Sequence, residues 1–261
     1  MRTIVREHYG EVAKTGGTCA PGCCGTTAAG YAQTLGYSPD DSRAVPEGAD
    51  LGLGCGNPTA IAALRAGETV LDLGSGAGFD CFLAARQVGP AGKVIGVDMT
   101  ADMIAKARAN ARKVKADNVE FRLGEIEHLP VRDATVDVIL SNCVINLSPE
   151  KSAVYAEAFR VLKPGGRIAI SDVVATGPIP EQLRTHAAAL SGCISGAAPI
   201  DEVRAMLAEA GFVDIEVKIA PQSAAVVESW LPGISAFLAS ATIEARRPGG
   251  AKTCCGPECC A

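Results

Sequence analysis

Cysteine is the residue whose number and spacing first suggest chemistry in this sequence. The chain of 261 residues contains 11 cysteines. Those near the two ends are Cys19, Cys23, Cys24, Cys254, Cys255, Cys259 and Cys260, and those in the body are Cys55, Cys81, Cys143 and Cys193. The N-terminal sequence MRTIVREHYG lacks the apolar run of a secretory signal, so we expect a cytoplasmic protein with reduced thiols. So many thiols in such a protein indicate metal, metalloid or redox chemistry.

A glycine-rich pattern supplies the second signal. Asp72, Gly74 and Gly76 open a D-x-G-x-G-x-G sequence that follows the apolar run TVLDL and precedes a helical stretch. Glycines let the backbone turn tightly and approach a ligand closely. Asp98 ends the next predicted strand, where a carboxylate can accept hydrogen bonds from ribose hydroxyls. The pattern therefore predicts a nucleotide-like binding site.

Two cofactor classes can use such a site. Enzymes that bind dinucleotides show G-x-G-x-x-G, with the pyrophosphate on the helix N-terminus. Here the spacing is G-x-G-x-G, and Asp72 at the strand end would repel a pyrophosphate. The cationic methionine moiety of S-adenosylmethionine would tolerate that acid, so the sequence favours a methyltransferase.

The elements that must position these residues alternate between strands and helices. Short apolar runs at 69–73, 93–97, 119–123 and 136–141 predict four strands, and 162–174 predicts a turn and a fifth. Intervening helical stretches of 10–15 residues predict right-handed βαβ units and a mostly parallel sheet covered by helices. The fold class is therefore α/β with a Rossmann-like core.

Further elements flank this core. We expect a short helix from Arg2 to Val12, a helix over 58–66, one helix plus a loop within 176–198 and a late strand from Val213 to Ile219. Residues 229–245 are predicted to be partly helical. The resulting organisation is an N-terminal segment with cofactor-covering and thiol residues at 1–68, a cofactor-binding domain at 69–175, a small inserted, C-terminal substrate-binding module at 176–245 and a Cys-rich tail at 246–261.

Charge and hydropathy argue against some partners. The formal net charge of −5 argues against a nucleic-acid substrate, because phosphate binding requires a basic surface. No stretch reaches the roughly 18 consecutive apolar residues of a membrane span. We expect a monomer that acts on a small molecule.

The choice of methyl acceptor depends on the body cysteines. Oxygen acceptors usually need a general base, and none of the 3 histidines forms a recognisable dyad with an acid. Trivalent arsenic is a soft nucleophile that needs no base, and thiolates bind it well. Cys143 directly follows the fourth strand, Cys193 has small neighbours and Cys55 lies between two glycines. Cys81, at the start of a core helix, is expected to be an inert buried thiol.

The segment from Thr69 to about Val174 resembles the class I methyltransferases in four motifs: VLDLGSGAGFD, VIGVDMT, GEIEHLPV and LKPGGRIAISD. The resemblance implies that Gly74 and Gly76 line the methionine end of the cofactor. It implies further contacts to ribose and adenine from Asp98, Met99, Glu125 and Ile126, and places Asn142 near the sulfonium.

The segments VREHYG, LGLGCGNP, SNCVINL and LSGCISG resemble the arsenite S-adenosylmethionine methyltransferases over most of residues 1–220. This resemblance implies that Cys55, Cys143 and Cys193 bind As(III) and that Tyr9 covers the cofactor. It also implies disulfide exchange by one N-terminal thiol among Cys19, Cys23 and Cys24. Arsenite or its glutathione conjugate would be the substrate, and glutathione or thioredoxin would restore the thiols. The paired cysteines of the tail would capture arsenic or exchange thiols.

Three alternatives stay open at this stage. A quinone or sterol C-methyltransferase would share the core but would leave the cysteine placement unexplained. A non-catalytic thiol-based metal or metalloid binding protein would have no need of the cofactor site. A redox sensor is compatible with the adjacent cysteine pairs.

Overall fold

The computed structural model of the chain describes residues 2–16, 28–180 and 193–249. The strands are β1 (Thr69–Leu73), β2 (Lys93–Asp98), β3 (Val119–Leu123), β4 (Val136–Asn142), β5 (Leu162–Ala175), β6 (Ala198–Pro199), β7 (Val213–Ile219) and β8 (Leu238–Arg246). The α-helices are α1 (Arg2–Thr15), α2 (Ala28–Thr34), α3 (Pro39–Ala44), α4 (Pro58–Ile61), α5 (Phe79–Val88), α6 (Ala101–Val114), α7 (Lys151–Val161), α8 (Ile200–Glu209) and α9 (Ser223–Glu228).

These strands form one sheet in the order β3-β2-β1-β4-β5-β8-β7, with β6 paired to β5. Strands β1 to β5 pair in parallel, whereas β8 is antiparallel to both β5 and β7. The predicted α/β class with a mostly parallel sheet is confirmed. The side chains of the central strands are almost completely buried, because helices cover both faces of the sheet.

The connections place one ligand-binding edge at the centre of the sheet. The chain goes from β1 to β2 on one side, and β4 later pairs with β1 on the other. The strand order therefore reverses beside β1, and the carboxyl ends of the strands on either side leave a crevice there. Asp98 and Asn142 end β2 and β4 at this same edge.

The helix predicted over 58–66 is shorter than expected. It begins at Pro58 as predicted, with the Asn57 side chain capping it, but ends at Ile61. Ala63 takes a positive φ of 45°, and the Arg167 guanidinium donates to the carbonyls of Ala62 and Ala63. A contact from a distant strand thus overrides a local preference for helix.

The prediction of partial helix over 229–245 was wrong for its second half. Residues 238–246 form β8, which pairs along its length with β5 and with most of β7. The alanines of this segment have high helix propensity, but pairing between two strands satisfies the backbone and buries one side chain after another. Strand β7 lies at 213–219 as predicted.

Several predictions concern residues outside the described part of the chain. The helix and loop expected within 176–198 fall partly there, as do Cys19, Cys23, Cys24 and all four cysteines of the tail. Within the described ranges, the longest helices are too short and too polar to cross a bilayer.

Candidate active site

A cavity opens at the carboxyl edge of the sheet, where β1, β2 and β4 end. Its walls contain most of the predicted cofactor residues together with two cysteines. The predicted residues that line it are Tyr9, Gly74, Gly76, Asp98, Met99, Ile126, Asn142, Cys143 and Cys193. Residues separated by more than 180 positions in sequence thus meet in one space.

The glycine loop is shaped by close approach of the chain that follows β4. Gly74 has a φ of 69°, and a Cβ there would overlap the side chain of Val144. The backbone N–H of Gly76 donates to Oδ2 of Asp98 over 2.9 Å, and Thr100 N–H donates to Oδ1. These bonds fix the Asp98 carboxylate at the cavity wall, and burial raises its pKa. A carboxylate retains further acceptor positions, so it could still bind ribose hydroxyls.

Of the three residues predicted to flank adenine, two line the cavity and one does not. Met99 and Ile126 line the cavity, as does Glu127. The Glu125 side chain instead accepts a hydrogen bond from Arg6 over 3.2 Å and lies 4.0 Å from Arg2. The role of Glu125 toward adenine therefore stays a prediction, and Glu127 is a neighbour that sequence reasoning missed.

Asp72 lies in an adjoining cavity, which shares Gly74, Gly76 and Asn142 with the first. The Cys81 thiol donates to Oδ2 of Asp72 over 3.2 Å. Burial, followed by the negative charge of Asp80, raises the pKa of Asp72 well above its ordinary value. Cys81 is fully buried, as expected of a core thiol.

The three predicted arsenic ligands lie close together beside the main cavity, which Cys143 and Cys193 line and Cys55 does not. The Cys193 thiol donates to the carbonyl oxygen of Cys143 over 3.3 Å. The sulfurs of Cys55 and Cys143 lie within 4.8 Å of each other. All three are free thiols. Cys143 has a φ of 59°, and its N–H bonds to the Ser171 carbonyl, so the turn after β4 directs the chain sharply away from the sheet.

Cys55 is held by three elements. Its N–H donates to Oδ1 of Asn142, its carbonyl accepts from Ser240 Oγ, and its thiol lies 3.4 Å from the Ser171 carbonyl. Asn142 also donates to the Gly56 carbonyl over 2.8 Å. Asn142 therefore lines the predicted cofactor cavity and also anchors the loop that carries Cys55.

Burial keeps the thiols protonated. It raises the pKa of Cys55 to about 11, and the charge of Asp172 acts in the same direction. The pKa of Cys193 is raised well above the usual range by the hydrogen bond of Cys193 with Cys143 and by burial. The hydrogen bond from Cys193 lowers the pKa of Cys143. The hydrogen bond with Cys55, burial and nearby negative charge raise it by more, so the pKa of Cys143 is well above its ordinary value. Neutral thiols suit exchange with a neutral metalloid hydroxide, because the thiol protons can leave with hydroxide as water.

Asp172 is a site residue that sequence reasoning missed. A carboxylate oxygen of Asp172 lies within 4.8 Å of the sulfurs of both Cys55 and Cys143. Burial raises its pKa to about 6. Its position in the quoted LKPGGRIAISD motif, beside the end of β4, was a signal that could have identified it.

The N- and C-terminal parts of the described chain complete the walls. Helix α1 contributes Arg2, Val5 and Tyr9 to the cavity. Trp230, also in the wall, donates its indole N–H to the Tyr31 hydroxyl over 2.8 Å, and that hydroxyl donates to the Gly54 carbonyl. No sequence pattern indicated Trp230 or Tyr31.

Comparison with known proteins is consistent with this geometry. A family profile described as Methyltransferase domain matches residues 64–211, more than half of the chain. The chain belongs to this methyltransferase family. Within this family, it belongs with the arsenite methyltransferases.

The arsenite methyltransferase of Halobacterium salinarum is 53% identical over 260 residues, which cover 95% of this methyltransferase and 66% of the relative. That of Aquipseudomonas alcaligenes is 38% identical, with 82% and 62% covered. The chain thus spans somewhat less than two thirds of the length of these relatives. The crystal structure of an arsenic(III) S-adenosylmethionine methyltransferase from Chlamydomonas reinhardtii is 32% identical, with a TM-score of 0.63 and 88% and 76% of the two chains covered.

Proposed function

We propose that this methyltransferase transfers methyl groups from S-adenosylmethionine to trivalent arsenic held by Cys55, Cys143 and Cys193. The observation that carries the proposal is the meeting of these thiols beside one cavity: Cys143 and Cys193 line it, Cys55 lies behind Cys143, and Gly74 and Asp98 are in its other walls. Neither a quinone nor a sterol acceptor would require that arrangement. The arsenite methyltransferases among its relatives support the same substrate.

The cofactor would lie along the carboxyl edge of β1 and β2. Asp98 would accept the ribose hydroxyls, Met99 and Ile126 would pack against adenine, and Tyr9 on α1 would cover the ligand. Asp72, beneath the glycine loop, would favour the cationic methionine end. When bound, S-adenosylmethionine supplies the electrophilic methyl group. The residues of the chain orient the two reactants, a contribution that can reach roughly 7–11 kcal/mol.

The thiols would exchange with the ligands of arsenic. Three S–H groups and arsenous acid give three As–S bonds and three molecules of water, so no proton is released into the buried site. The resulting pyramidal As(III) keeps its lone pair for methyl transfer. Formation of a disulfide among the cysteines would reduce the pentavalent product, with one of Cys19, Cys23 or Cys24 taking part. Cytoplasmic glutathione or thioredoxin would then restore the thiols.

The test is incubation of the purified chain with arsenite, S-adenosylmethionine and glutathione, followed by chromatographic speciation of arsenic. We expect methylated arsenicals together with S-adenosylhomocysteine, and neither product when arsenite is omitted. Unmethylated arsenic in a preparation that binds S-adenosylmethionine would overturn the proposal.

A further inference from the structure

One group of ligating side chains at the thiol end of the cavity includes a carboxylate. The sulfurs of Cys55 and Cys143 and one oxygen of Asp172 all lie within 4.8 Å of one another, and all three residues are buried. This triangle shares two thiols with the proposed arsenic site. It differs by containing Asp172 in the place of Cys193.

The two sets of donors suit different ions. Three sulfurs suit the pyramidal, thiophilic As(III), whereas two thiolates and a carboxylate are ligands of zinc-like cations. We propose that Cys55, Cys143 and Asp172 form a second, overlapping site for a thiophilic divalent cation of the Zn²⁺ and Cd²⁺ class. Such a cation would compete with arsenic for the shared thiols. The site goes beyond the proposed methyl transfer and does not depend on it.

Asp172 is oriented as a ligating carboxylate should be. It accepts hydrogen bonds from Ile145 N–H over 3.1 Å, Asn146 Nδ2 over 2.9 Å and its neighbour Val173 N–H over 2.8 Å. A carboxylate offers roughly four acceptor positions, so one remains for an ion. Hydrogen-bonded partners of this kind hold a ligand in place and strengthen metal binding.

The distances require only local closure. With Zn–S bonds of about 2.3 Å, tetrahedral sulfurs lie about 3.8 Å apart, so the two sulfurs need to approach by at most about 1 Å. The larger Cd²⁺ forms longer bonds to sulfur, so it requires a smaller approach of the two sulfurs. An ion can enter from the cavity, since Cys143 lines it. Binding would release two thiol protons to solvent, and the bound ion with two thiolates and one carboxylate would carry a net charge of −1.

The experiment titrates the reduced full-length chain with Cd²⁺ alone. The seven thiols near the two ends are first replaced by Ser, namely Cys19, Cys23, Cys24, Cys254, Cys255, Cys259 and Cys260. Binding is followed by the ultraviolet charge-transfer band of cadmium thiolate and by competition with a chelator. We expect Asp172→Asn to weaken Cd²⁺ binding about 10-fold or more while As(III) binding changes little. Asp137→Asn, which alters an acid on β4 that bonds to Lys163, is the matched control.

A second pair of variants keeps the test decisive if Asp172→Asn fails to fold. Cys55→Ser should remove both Cd²⁺ and As(III) binding. Cys193→Ser should lose As(III) binding but retain the cadmium band. Loss of Cd²⁺ binding in Cys193→Ser, or unchanged Cd²⁺ binding in a folded Asp172→Asn chain, would overturn the cation site. Neither result would bear on methyl transfer, which the speciation assay measures separately.

Discussion

Cys143 occupies a backbone conformation that few residues other than glycine adopt. Its φ of 59° costs a non-glycine residue on the order of 1–2 kcal/mol. Glycine would relieve this cost, so the feature that cysteine adds at this position is its thiol. The strained turn also brings Val144 against the glycine loop, so the proposed arsenic ligand Cys143 is next to a residue that contacts the predicted cofactor loop.

Cys143→Ser and Cys193→Ser should each abolish arsenic methylation. Serine preserves the size of the side chain but removes the soft sulfur ligand, so S-adenosylmethionine should still bind with nearly unchanged affinity. The measurements are arsenic speciation and calorimetric titration with the cofactor. Cys81→Ser is the matched control, because its hydroxyl can still donate to Asp72, and it should remain active. Methylation by both Cys143→Ser and Cys193→Ser would contradict the arsenic assignment.

The stability of the fold should decrease at alkaline pH. The pKa of Cys55 is raised from 9.0 to about 11 by burial, so the folded chain keeps a proton that the unfolded chain loses. The free energy of unfolding should therefore be unaffected below about pH 9 and fall as the pH rises toward about 11, by about 3 kcal/mol for this thiol. Cys143 and Cys193 act in the same direction.

Urea denaturation under reducing conditions, at about pH 8 and about pH 10.5, measures this linkage. The decrease between the two pH values should be smaller in Cys55→Ala, which has no thiol to titrate at that position. An equal decrease in the variant and the parent chain would show that Cys55 does not contribute.

Single residues of the site were predictable where a side chain able to bind a ligand stands at the end of a predicted strand. Asp98 and Cys143 stand at strand ends in recognisable motifs, and both line the cavity. Asp172 was missed because its motif places it beside the end of β4 but does not show which face of the long strand β5 its side chain occupies. Trp230 reaches the site only through a bond to Tyr31, and contacts between such distant residues leave no local pattern.

At the scale of elements, helix α1 forms one wall of the cavity, and ion pairs supplement the apolar packing of Val5 and Val12. Arg2 donates to Glu127 over 3.1 Å and to Glu150 over 3.0 Å. Glu127 is nearly inaccessible, with 5% of its side chain exposed, and the Ser148 hydroxyl also donates to it. One arginine at the start of α1 therefore neutralises a buried acid.

Arg2→Ala should loosen α1 and raise the KM for S-adenosylmethionine several-fold with a smaller effect on kcat. Removing the arginine leaves the buried Glu127 without its cation, which costs about 1–3 kcal/mol. Arg6→Ala is the control, because the Arg6 pair with Glu125 is exposed and such pairs contribute about 1 kcal/mol or less. The measurement is the KM for S-adenosylmethionine of both variants, from steady-state kinetics at low and high salt. Equal KM values for the two variants would mean that charge does not hold the helix.

The elements themselves were largely predictable, but their partners were not. The alternation of apolar runs and helices in 69–175 specified the parallel core, because burial on both faces leaves a strong local pattern. Helix α4 and strand β8 departed from prediction where a distant residue or strand satisfied the backbone. The register that places β8 beside β5 depends on pairing across more than 60 residues.

At the scale of the whole molecule, the C-terminal strands continue the sheet of the cofactor-binding core. Strand β8 pairs with β5 from Arg246 to Leu238, and Ser240 on β8 bonds to the carbonyl of Cys55. The thiol site is therefore assembled from the N-terminal segment, the central strands and the C-terminal strand together. The boundaries at residues 68, 175 and 245 remain predictions about organisation.

Deletion of residues 252–261 should lower the methylation rate at low arsenite and spare the rate at saturation. The four cysteines removed lie outside the described residues, and the proposed site is complete without them. We expect them to deliver arsenic rather than hold it during transfer. Rates measured over a range of arsenite concentrations test this role. Complete loss of turnover would place the tail within the active site.

Because the three thiols are unequally buried, they should react with reagents and with arsenic one after another. Cys143 and Cys193 line the cavity, whereas Cys55 has 0% of its surface exposed. Alkylation needs a thiolate, so the raised pKa values should make all three thiols react slowly. Because access also limits the reaction, we expect iodoacetamide to label Cys143 and Cys193 before Cys55, as peptide mapping by mass spectrometry can follow. Arsenic would likewise be captured by two sulfurs first, and the slower movement of the Cys55 loop would complete the third bond and set the pace of loading.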